Sequence, residues 1–243
     1  MPEQPDLSAL DDQLLDGLSF CSKGYDLFDQ IMAQPDGVGL IRTRPTVVEK
    51  RLIEEILPIA SYVQQKYSAG NRFKIQWSNG SQSYDALLFA PQLMVEKAKI
   101  PEQITVEATC AVHENDHWSR RIGHADGISW GPRNLQRDPK TGKVELKPQA
   151  IGWHEKVKEL ADFIIKRLLE KSQGHYPIET VLVVSCTSFG TMDEIEWNHT
   201  VDLVKQTELH KNFREVHLCE LAKNNRATLW GGSANRRSQQ PTA

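Results

Sequence analysis

RFKIQWSNGSQSYDALLFA, residues 72–90, and then ITVEATCAV, residues 104–112, decide how this chain is read. The first six residues alternate apolar and polar, as a half-buried strand does, and Ser78-Asn79-Gly80 closes them with a turn signal. Residues 83–90 supply a second strand and residues 104–112 a third, so the pattern predicts a meander of three strands. Upstream, Pro45 stands where proline suits the first turn of a helix. Val48, Leu52, Ile56, Ile59 and Val63 then form one apolar stripe, in which Pro58 should kink or divide the helix. Downstream, residues 153–171 read as a helix with Val157, Leu160, Ala161, Ile164 and Leu168 on one face, and VLVVSC at 181–186 as a buried strand.

Further out the signals thin. Residues 192–208 read as a helix, 215–221 and 227–231 as strands, and 7–35 as one or two short helices. The polar stretch from 113 to 147 shows no regular pattern. Helix, three meandering strands, crossover helix and apolar strand together imply an α/β fold, a mixed sheet with helices packed on it. The expected division is an N-terminal helical segment (1–44) packed on the core, an α/β domain (45–231) and a disordered tail (232–243).

Composition narrows the function classes. Hydrophobic residues at 39% and charged residues at 25% suit a folded, soluble body rather than a disordered one. A net charge of -3 argues against a globally basic nucleic-acid wrapper while leaving room for a local basic site. No apolar run reaches the ~18 residues of a membrane span, and the acidic N-terminus lacks the marks of a secretory signal, so a cytoplasmic location is expected. Cys21, Cys110, Cys186 and Cys219 form no C-x-x-C pair and read as reduced thiols packed like small hydrophobes. There is no G-x-G-x-x-G loop for a dinucleotide.

The chemistry-bearing residues are acidic and lie on the strands. Strand alternation puts Asp85 with Leu87 and Phe89, and Glu107 with Thr105 and Thr109. Glu107 is flanked by Val106 and Ala108, and a carboxylate in such surroundings is costly to bury without a partner. Two carboxylates from adjacent strands repel unless a cation lies between them, and hard oxygen ligands suit Mg²⁺ or Mn²⁺. A competing motif, His113-Glu114-Asn115-Asp116-His117, fits H-E-x-x-H, in which both histidines on one helix face would bind Zn²⁺ and Glu114 would act as base. It follows strand text directly, and Asn115 and Asp116 are poor residues for a helix interior. Arg120, Arg121, Arg133 and Arg137, interleaved with Trp118 and Trp130, offer phosphate contacts and stacking surfaces to a nucleic acid.

Residues 45–186, from the stripe of KRLIEEILPIASYVQQKY through SYDALLFA and ITVEATCAVHENDHWSRRIGHADG, resemble the PD-(D/E)xK, restriction-endonuclease-like nuclease superfamily. The resemblance implies a core ordered α-β-β-β-α-β and a Mg²⁺- or Mn²⁺-dependent nuclease, with DNA the expected substrate. A second copy of the chain or a protein partner is left open. By that resemblance Asp85 stands for the second-strand aspartate and Glu107-Ala108-Thr109 for the acidic-x-lysine triplet, with Asp85 and Glu107 as metal ligands. An acidic residue on the first helix completes the site in the family. Helical phase favours Glu55 over Glu54, with Glu49 a further candidate. Thr109 departs from the pattern, since it carries no positive charge. Lys171, in phase with the apolar face of the 153–171 helix, is the candidate replacement cation, whereas Lys166 points away. Without such a cation the same fold would serve as a silent nucleic-acid- or protein-binding module.

Overall fold

A computed structural model describes residues 5–66, 72–98, 101–127, 131–148, 150–174, 176–177, 179–186 and 192–231. The chain opens with strand β1 (Leu14–Asp16), helices α1 (Gly17–Met32), α2 (Gly37–Thr43) and α3 (Val47–Arg51), a π-helical turn (Leu52–Ile56) and α4 (Leu57–Lys66). Strands β2 (Lys74–Trp77) and β3 (Ala86–Phe89), helix α5 (Gln92–Ala98), β4 (Gln103–Ala111) and helix α6 (Asp116–Asp126) follow. A small hairpin of β5 (Leu135–Arg137) and β6 (Val144–Leu146) precedes the long helix α7 (Trp153–Ser172). The remainder is β7 (Val181–Cys186), α8 (Glu194–Gln206), β8 (Glu215–Glu220) and β9 (Asn225–Trp230).

Among the described residues seven strands form one mixed sheet in the order β1-β2-β3-β4-β7-β8-β9. The meander β1 to β4 is antiparallel, β4, β7 and β8 run parallel, and β9 returns antiparallel to β8. The central strands β7 and β8 are buried on both faces, which is why VLVVSC carries apolar side chains on both. Val181 and Val183 join the core cluster that holds Phe20, Ile31, Ile56, Ile59 and Ile75, while Leu182 and Val184 join the one that holds Ile164, Leu168, Trp197 and Val204. Helices α1 and α4 thus cover one face, and α7 and α8 the other.

Several expectations need correction. Residues 7–35 are not helical alone, because Leu14–Asp16 is an edge strand paired with β2. Asp16 then caps α1 by accepting from the backbone N–H groups of Leu18 and Ser19, at 3.0 and 3.1 Å. Pro45 does not open the next helix. Thr46 is its N-cap, accepting from Val48 N–H at 3.2 Å while Glu49 Oε2 accepts from Thr46 N–H at 3.0 Å, a reciprocal capping box. Nor does Pro58 divide the helix.

A proline has no N–H for the carbonyl four residues earlier and crowds it. The π turn absorbs that misfit: Leu57 N–H bonds back to Leu52 O, five residues away, and the Cys110 thiol approaches Glu54 O at 3.9 Å. Between 113 and 147 the described residues form a helix and a hairpin. Helix α6 carries no apolar stripe; its first turn is held by the pair Arg120–Asp116 at 2.8 Å. The β5–β6 turn is built on Asp138, whose Oδ1 accepts from Lys140 and Thr141 N–H, and on Gly142 at φ 70°. Residues 232–243 lie outside the described residues. Among the described residues no helix is long and apolar enough to cross a membrane.

Candidate functional site

The β3–β4 register sets Ala86 opposite Val106, and Asp85 N–H donates to Val106 O at 2.9 Å. Asp85, one residue earlier, therefore stands across from Glu107, and opposed residues of an antiparallel pair share a face. One Asp85 oxygen, Oδ2, accepts from Ala108 N–H at 2.7 Å. Glu107 is buried at mid-strand, 8% exposed, and its Oε1 accepts from the Lys171 ammonium and from the Tyr176 hydroxyl at 3.3 Å. Lys171 comes from the last turn of α7, one turn beyond the buried Leu168, and Lys166 is exposed to solvent. Thr109, two residues after Glu107, is half-buried on the same face.

The electrostatics follow from burial and crowding. Burial lifts the Asp85 carboxyl to about 7; the negative charges of Glu55 and Glu107 add to this, and the Ala108 N–H and Lys171 oppose it. Burial works against the Lys171 charge, but the hydrogen bond and charge of Glu107 outweigh it and hold the ammonium above its usual range. Glu55, on the π turn, is also raised by burial despite its ion pair with Arg51 and the Trp77 indole N–H at 3.3 Å. Asp85, Glu107, Glu55 and Lys171 therefore form one interacting group. Tyr176 and Trp77 belong to it too. Nothing in their sequence neighbourhood marked them, whereas the Arg51–Glu55 pair follows from helical i,i+4 spacing.

Other candidates are engaged elsewhere. Glu49 serves the Thr46 cap, and Glu54 pairs with Arg44 at 3.0 Å. His113 lies ahead of α6, its Nδ1 accepting from Asn115 N–H at 2.9 Å and its ring set edge-on to Phe163. His117 stands in the first turn of α6 with Nδ1 at 3.2 Å from Glu114 O. The two imidazoles thus turn to separate local partners. Arg121 and Arg137 lie over the Trp118 ring, at 5.6 and 6.0 Å from its centre, and Arg133 stands 3.9 Å from Glu155 and Glu159. Trp130 lies outside the described residues.

Among the described residues no group of three His, Cys, Asp or Glu side chains is placed to hold a metal ion. The available donor set is two carboxylates, Asp85 and Glu107, with Glu55 held by Arg51 and Trp77. Hard oxygens in that number fit Mg²⁺ or Mn²⁺, which commonly take one or two protein carboxylates and complete their shell with water and phosphate oxygens. They do not make the nitrogen- or sulfur-rich tetrahedral set of zinc.

No family model, curated protein or solved structure matches this chain.

Proposed function

We propose that the chain is a Mg²⁺- or Mn²⁺-dependent phosphodiester hydrolase acting on DNA, a divergent PD-(D/E)xK nuclease with Glu107-Ala108-Thr109 in place of the acidic-x-lysine triplet. The observation that carries this reading is the delivery of Lys171, from the end of the crossover helix, to the carboxylate of Glu107 beside Asp85. The β2-β3-β4 meander, the α7 crossover and the parallel strand β7 support it, since that is the element order the resemblance implies.

Asp85 and Glu107 would hold the ion, and their mutual crowding is what a cation relieves. When bound, the ion supplies Lewis-acid polarisation of a phosphoryl oxygen and an activated water. Glu55 orients the carboxylate group from the π turn. Lys171 holds a positive charge where negative charge builds on the phosphate, and Tyr176 keeps the Glu107 oxygen fixed through its hydroxyl.

The test is cleavage of single- and double-stranded DNA with Mg²⁺ or Mn²⁺. Glu107→Ala abolishes cleavage, and Lys171→Ala lowers it at least ~10-fold, as loss of a preorganised charge does. Thr109→Lys restores activity to the Lys171→Ala chain. The second reading is a silent binding module, favoured by the mutual neutralisation of Lys171 and Glu107. Absence of metal-dependent cleavage by any variant would select it.

A further inference from the structure

A cavity of about 490 Å³ lies beyond the carboxyl ends of β7 and β8, and none of its lining residues belongs to the Asp85–Glu107–Lys171 group. It lies within the ~300–1,000 Å³ typical of small-ligand sites. Tyr25 and Phe28 of α1, Ile53 of the π turn and Leu57 of α4 give it flat apolar walls. Strand ends contribute Ser185 and Glu220, and Arg226 of β9 reaches in from the adjoining hairpin.

Arg226 is the informative group. Its guanidinium is part-buried, and among the described residues it is in no ion pair with a carboxylate. One of its amines, Nη2, donates to Gln64 Oε1 at 3.2 Å, and the Tyr25 hydroxyl donates to the same oxygen at 3.3 Å. Gln64, on α4, thereby fixes a cation and an aromatic ring side by side on one wall. A guanidinium held by a neutral amide keeps its charge and several donors for an incoming anion. Glu220, which accepts from Asn225 Nδ2 at 2.8 Å, and Ser185 add lining groups that can bond to ring amines or hydroxyls.

We propose that this cavity binds a small organic anion of mononucleotide size, its ring against Tyr25 and Phe28 and its phosphate or carboxylate on Arg226. The site is separate from the carboxylate group and does not depend on the nuclease reading.

The experiment is calorimetry and thermal unfolding of the full chain in EDTA buffer with AMP, GMP, indole-3-acetate and inorganic phosphate as separate probes. At least one organic probe binds and raises the melting temperature by about 3 °C or more when present at ~100 times its Kd. A nucleotide response without an indole-acetate response assigns the anion as a phosphate; the reverse assigns a carboxylate. Arg226→Gln weakens binding at least tenfold. Leu221→Glu, at an exposed lining position in the β8–β9 turn, does the same without touching the core, so the test survives if Arg226→Gln fails to fold. Lys171→Ala leaves binding unchanged. The proposal is overturned if no organic probe binds, if inorganic phosphate binds as tightly as the organic probes, or if Lys171→Ala removes binding while Leu221→Glu does not.

Discussion

His217 shows how a single buried side chain sets a pH response. It is fully buried in β8, with Nε2 at 3.5 Å from Ser61 Oγ, its ring edge-on to Tyr62, and Nδ1 without a hydrogen-bond partner among the described residues. Burial pushes its pKa down to about 3, and the charges of Arg226 and Lys66 act in the same direction. Between that value and the usual 6.5 the unfolded chain binds a proton that the folded chain refuses. Stability from this group is therefore complete above pH 6.5 and is lost as pH falls toward 3. Urea unfolding at pH 7, 5.5 and 4.5 should show wild type losing stability relative to His217→Gln as pH falls, by up to ~1.4 kcal/mol per pH unit. In His217→Gln that share of the slope disappears; equal slopes in the two proteins would refute the assignment. Asp85 is the mirror case, a carboxyl raised by burial among other acids, so its share of the slope has the opposite sign and is common to both proteins. Strand alternation was legible around it, but the register that sets it across from Glu107 was not, because α5 separates the two strands.

At the scale of elements, the segment from Thr46 to Lys66 joins a cap, a π turn and a proline into one continuous rod. The cap is worth measuring alone. Thr46→Ala removes the side-chain acceptor for Val48 N–H and should cost ~1 kcal/mol, read from the denaturation midpoint. On the proposed nuclease reading that variant keeps its cleavage, because Thr46 only starts the rod that carries Glu55. The apolar stripe was readable because it recurs at helical spacing. Neither the π turn nor the approach of Cys110 to Glu54 O was, because a proline's misfit can be met by a kink, a break or a wider turn, and the thiol that approaches the freed carbonyl comes from β4, more than fifty residues on. Helix α6 escaped notice for a related reason: its buried residues are Asp116, Ser119 and Gly123, which carry no hydrophobic period.

For the whole molecule, the two cores are separated by the sheet, and the N-terminal segment belongs to one of them. Leu10, Phe20, Leu27 and Ile31 pack in the same cluster as Leu52, Ile56 and Ile75. A chain beginning at Pro45 would uncover the side of α4 and the π turn against which α1 packs, and at ~1.5–3 kcal/mol for each large side chain left unburied the loss is comparable to ordinary domain stability. Such a chain should show no cooperative urea transition by circular dichroism. A sharp transition like that of the full chain would mean that residues 1–44 are dispensable.

Sequence was enough for the α/β layering, the three-strand meander, the crossover helix, the buried strand and the placing of Asp85 and Glu107 on neighbouring strands. Each depends on local periodicity, which follows from backbone geometry and needs no distant partner. Helical phase also sufficed to put Lys171 on the buried side of α7. Tertiary structure alone decided the rest. Strand β1 is three residues long and is a strand only because β2 accepts it. The partners of Glu55 and Glu107 include Trp77 and Tyr176, which come from separate parts of the chain and meet only when the sheet closes. The anion cavity, too, gathers α1, the π turn, β7 and β9, whose residues no period connects. Contacts across long sequence separation depend on packing, and packing leaves no repeat in the chain that makes it.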